Sequence, residues 1–164
     1  MNSLHRWALW ALCAGVLCSG SASAQPSDPV AAAMLRKYAG SDDSDAFLRE
    51  PAVNAELQKL LGAQLRQLRQ NLNVAGSVDV VSGMLTLSGN APHGGTVEEA
   101  VVCAAPPGKF VVAAIFSKGM VTVFARDPAY DNLPICIKDW VTQVNSRHAD
   151  RIKQPRNVRV MAAR

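Results

Sequence analysis

The chain has 164 residues, long enough for one domain with its own core, and 49% of them are hydrophobic against 18% charged. That balance excludes an intrinsically disordered chain, and no stretch after residue 24 approaches the ~18 apolar residues of a spanning helix. A net charge of +4 without aromatic residues interleaved among the basic ones argues against a nucleic-acid partner.

Residues 1–24 read as a cleavable secretory signal peptide. His5 and Arg6 form a short positive n-region, Trp7 to Leu17 is an apolar run too short to span a bilayer, and Ala22-Ser23-Ala24 is an A-x-A cleavage site. Cys13 follows Leu12 and Cys18 follows Leu17, where a lipid-attachment site would want a small residue. The expected mature protein begins near Gln25, in a Gram-negative periplasm or outside the cell, with no transmembrane segment. Only Arg6 among the charged residues leaves with the signal, so 16 Lys and Arg face 13 Asp and Glu, or +3.

Asp28-Pro29 starts a short helix through Tyr38 that ends at Gly40, and Ser41 to Asp45 is a polar spacer. A longer helix is expected from there to about Asn71, with Pro51 opening its main segment. Val53, Leu57, Leu60, Leu61, Leu65, Leu68 and Leu72 make one apolar stripe at helical spacing, a core face. Lys59, Arg66 and Arg69 make the opposite face basic.

From Gly76 the period becomes extended. Val78 to Val80 and Met84 to Leu87 flank the tight-turn pair Ser82-Gly83. Val97 to Ala105 and Phe110 to Ser117 flank Pro106 to Lys109, and Lys118-Gly119 leads into Met120 to Ala125. The runs AVVCAA and FVVAAIF are apolar on both faces and so should lie in the sheet centre, covered on both sides. Leu133-Pro134 opens a last helix through about Val144, with Ile137, Trp140, Val141 and Val144 on one face. Residues 147–164 read as a basic, solvated and loosely ordered tail.

The pattern predicts a single α+β domain over residues 28–146: an antiparallel meander of about five strands against a long N-terminal helix and a C-terminal helix. Cys103 and Cys136 are the cysteines left after cleavage. In an oxidising compartment they read as one disulfide, 33 residues apart, that pins the last helix to a strand; the alternative is two buried free thiols.

Enzymatic readings find no support. There is no G-x-S-x-G elbow and no phosphate-binding glycine loop. Glu98 and Glu99 are adjacent on a strand and point to opposite faces, so they cannot work as a paired acid and base. Cys103 sits in an apolar run that raises a thiol's pKa. No cofactor and no metal are expected: the mature histidines, His93 and His148, lie far apart without ligand-spaced partners.

The segment that stands out is Ser88 to Thr96, a Gly- and Pro-rich connection between two strands. Residues 89–96 form a loop too long for a tight hairpin, with His93 beside Pro92. This segment resembles the exported inhibitors of vertebrate lysozyme, the Ivy family. These are small periplasmic α+β proteins with a loop reading Cys-Lys-Pro-His-Asp-Cys, whose His enters the lysozyme cleft. Here Asn90-Ala91-Pro92-His93-Gly94-Gly95 keeps the Pro-His pair, while Asn90 and Gly95 stand where that family has its loop-closing cysteines. The layout is similar over residues 45–145. The resemblance implies a periplasmic, non-enzymatic protein-binding module, with a lysozyme or another cell-wall enzyme as partner. Animal lysozymes are basic, so a chain of charge +3 gains no long-range steering towards them. The alternatives are an immunity-type protein acting on another envelope enzyme and a structural or antigenic envelope protein.

Overall fold

The computed structural model describes residues 28–93, 97–149 and 157–162; the signal segment, and so the expected cleavage site, lies outside the described residues. Helix α1 (Pro29–Tyr38) is capped by Asp28, whose Oδ1 accepts from the Val30 N–H at 2.9 Å. Helix α2 (Ser44–Arg49) is capped in the same way by Asp43, inside the polar spacer.

The long helix expected up to Asn71 is broken into pieces. Glu50, before Pro51, is pushed out of helical conformation, which separates α2 from α3 (Pro51–Leu61). Gly62, at φ 50°, then ends α3, and a 3₁₀ turn leads into α4 (Leu65–Asn71). The apolar stripe survives both breaks: Val53, Leu57, Leu60, Leu61, Leu68 and Leu72 are all buried, with Leu65 half-buried. At the α2–α3 junction Glu50 accepts from the Tyr38 hydroxyl at 2.5 Å and from Lys37 at 3.0 Å, and these bonds hold its carboxyl below the ordinary range.

Among the described residues, seven strands form one sheet: β1 (Val74–Ala75), β2 (Asp79–Val81), β3 (Met84–Asn90), β4 (Glu98–Ala105), β5 (Phe110–Ser117), β6 (Met120–Ala125) and β7 (Val158–Ala162). β3 to β6 are the antiparallel meander. Two hairpin turns, one between β2 and β3 and one between β5 and β6, place a residue and a glycine in left-handed conformation, Ser82-Gly83 (49°, 78°) and Lys118-Gly119 (52°, 77°), the geometry of tight two-residue hairpins.

Successive residues of β4 and β5 alternate between two cores. Ala100, Val102, Ala113 and Ile115 join the stripe of α3 and α4, while Val101, Cys103, Val112 and Phe116 face α5 (Ile135–Arg147). Both faces of these strands are therefore covered. Cys103 and Cys136 are disulfide-bonded, with Cα atoms 6.5 Å apart, and join the central strand β4 to α5.

The basic tail is not loosely ordered throughout. Residues 158–162 form β7, which pairs parallel with β6, and the Val121 N–H donates to the Asn157 carbonyl at 2.8 Å. Val158 and Val160 pack against the α5 core, and this apolar alternation among the arginines is what makes a strand here. The folded unit therefore extends past residue 146.

Candidate functional site

β3 runs to Asn90, so Ser88, Gly89 and Asn90 are strand residues and the exposed connection is shorter than expected. The cause is β1, which pairs with the end of β3 at Ala75–Gly89 and Val74–Asn90. Only glycine fits there, since a Cβ on residue 89 would lie 2.6 Å from the Val74 carbonyl oxygen.

The connection leaves the sheet through a narrow neck. Asn90 is opposite Glu99 in the β3–β4 register, and the Ala91 N–H donates to the Glu98 carbonyl at 2.9 Å. The Asn90 side chain donates to the Ala91 carbonyl at 3.2 Å, and Ala91 itself is buried. Pro92 and His93 then stand exposed in a turn. His93 has φ 58°, a left-handed conformation that costs a residue with a Cβ roughly 1 kcal/mol. Gly94 and Gly95 lie outside the described residues.

Glu98 and Glu99 do face opposite layers. Glu98 turns to the α4 side and accepts from Ser117 Oγ at 2.7 Å. Glu99 turns to the α5 side, where Arg147 Nη2 at 2.5 Å and His148 Nε2 at 2.9 Å bind its carboxylate. His148, read in the sequence as a tail residue, is 2% exposed and stacks on Phe116 with ring centroids 4.8 Å apart. The sequence carried a weak signal for this: His148 lies at i+4 from Val144, on the apolar face of α5.

On the α4 side of the neck is a depression of about 480 Å³ lined by Arg66, Gln67, Gln70, Asn71, Ala91 and Lys118. The rest of the basic helix face is less available than its charges imply. Lys59 pairs with Glu56 at 3.0 Å, and Arg69 donates to Asn54 at 2.8 Å. Arg126 also bonds Glu56, and with Lys59 it holds that carboxyl below its usual range. Among the described residues no cluster of three or more His, Cys, Asp or Glu could hold a metal ion, and no helix is long and apolar enough to cross a membrane.

The fold and this neck define a class: a small α+β protein that presents a short, exposed Pro-His turn from two central strands. Residues 52–147 match the family described as inhibitor of vertebrate lysozyme (Ivy). That span is more than half of the chain, and the chain belongs to this family, a family of inhibitors and not of enzymes. No curated protein and no solved structure matches the chain.

Proposed function

We propose that the mature chain, exported to the periplasm or beyond it, inhibits a lysozyme-type glycosidase by inserting the turn at residues 90–95, with His93 entering the cleft. The observation that carries this reading is His93 itself. It is exposed, held in left-handed conformation beside Pro92, above a neck pinned on both sides, and inside the span that matches the inhibitor family. A retaining glycosidase has two carboxyl groups about 5 Å apart across its cleft. An imidazole between them can bond both, and charge-assisted bonds are strong in a desolvated cleft.

The test is lysozyme turbidimetry on a cell suspension with purified mature protein, wild type against His93→Ala. The variant should keep the circular dichroism spectrum and lose inhibition at least about tenfold, which is 1.4 kcal/mol. Equal inhibition by both proteins would reject the loop as the binding element.

A further inference from the structure

Glu99 is a carboxylate placed where its neighbours on the same face of β4, Val101 and Cys103, are fully buried apolar residues. It is 6% exposed and bonded to one guanidinium and one imidazole, both from the end of α5. The His148 Nε2 lies 2.9 Å from one Glu99 carboxyl oxygen, and Arg147 Nη2 lies 2.5 Å from the other. Burying such a cluster is seldom the most stable way to fill a core, because apolar residues of similar volume do as well or better. What it supplies is direction.

The direction is that of the loop root. Glu99 pairs with Asn90 on one side and with Phe116 on the other, and His148 stacks on that same Phe116. From the opposite layer Asn71 donates to the Glu99 carbonyl at 3.2 Å. The first residues of β4 after the turn are thus gripped through the Glu99 carboxylate by α5 and through the Glu99 carbonyl by α4. The neck itself is closed by the Asn90–Glu99 pairing and the Ala91-to-Glu98 bond.

We infer that Glu99, clamped by Arg147 and His148, is a positioning residue for the Pro92-His93 turn. It fixes the root so that the turn is ordered before a partner arrives, and it never touches the partner. The inference rests on the proposed loop function for its effect on inhibition, but the ordering of the neck can be read without any partner. Ordering a loop at binding weakens affinity, so a preordered root strengthens it.

The experiment uses the full mature chain with Glu99→Gln, Arg147→Ala and Arg147→Lys. The Arg147 side chain is 42% exposed, so removing it leaves the core closed even if Glu99→Gln fails to fold. Hydrogen exchange at the Ala91 amide should accelerate at least tenfold in Glu99→Gln and Arg147→Ala, while the Ala113 amide in the sheet centre is unchanged, and Arg147→Lys should restore most of the protection. Inhibition should fall in parallel, and adding Glu99→Gln to His93→Ala should weaken it no further. An unchanged Ala91 amide, or equal acceleration at Ala113, overturns the clamp. If His93→Ala has no effect on inhibition, the loop reading falls, and the Ala91 amide still decides the clamp.

Discussion

Reducing the Cys103–Cys136 disulfide is the most direct perturbation of how α5 is held to the sheet. The bond joins residues 33 apart, and loop-closure entropy for that length gives about 3.5–4 kcal/mol at 25 °C. Cys103 is fully buried and Cys136 is 3% exposed, so the thiols remain packed after reduction and no volume is lost from the core. The loss should therefore be close to the entropic figure, against a total stability of about 5–15 kcal/mol for a domain of this size. Urea unfolding of the mature protein with and without a phosphine reductant measures it, both curves being fitted for their midpoint and slope. A midpoint shift worth less than about 1 kcal/mol would refute the reasoning. The same bond should reach the loop root, because α5 carries the disulfide in its first turn and Arg147 at its end.

Three further outcomes follow from the packing. Gly89→Ala should displace β1 and destabilise by about 1–3 kcal/mol in thermal or urea unfolding, because the new methyl meets the backbone of Val74 and Ala75 and cannot be absorbed by a side chain. The Glu56 and Glu50 carboxyls are held below their ordinary values by their Lys, Arg and Tyr partners, so they contribute stability above about pH 4.5 that is lost as pH falls through the folded pKa. Glu56→Gln should thus be less stable than wild type at pH 7, by on the order of 1 kcal/mol, and lose less between pH 5 and 3. Truncation after Ser146 removes β7 and the buried His148, and should lower stability by at least about 3 kcal/mol in urea.

The strand positions were legible because two strong signals coincide in them. Period-2 or doubly apolar runs lie between turn pairs such as Ser82-Gly83 and Lys118-Gly119, and the structure places β2 to β6 within a few residues of those runs. The stripe from Val53 to Leu72 was legible as a core face but not as separate helices, because a stripe records which side is buried and not whether the backbone continues. Pro51 was read as opening the main segment of one long helix and not as the break that separates α2 from α3, and Gly62 was hidden by the continuing leucines. β1 and β7 were missed for different reasons. Val74-Ala75 is too short to show a period, and Val158 to Ala162 is masked by the arginines that surround it. His148 was placed with the tail, despite its i+4 spacing from Val144, because its partners, Glu99 and Phe116, lie 49 and 32 residues away in the chain.

Charge and preorganisation can be weighed against each other at the loop. The chain carries a net charge of +4, and Arg66 and Lys118 line the depression beside the neck. Towards a basic lysozyme the long-range term is repulsive, and at 0.1 M salt it fades within about 10 Å. In the binding mode proposed above, affinity for such a target would come from short range, from an imidazole between two carboxyls and from how little order the loop has left to lose. Fixing the backbone of one residue costs roughly 1–2 kcal/mol. For the six residues 90–95, full ordering at binding would cost as much as several good hydrogen bonds provide. Asn90 and Ala91 are already ordered by the sheet and the neck, and Pro92 has its φ fixed by its ring. In that proposed mode, the residues that hold the root would weigh more on affinity than any charge on the surrounding surface.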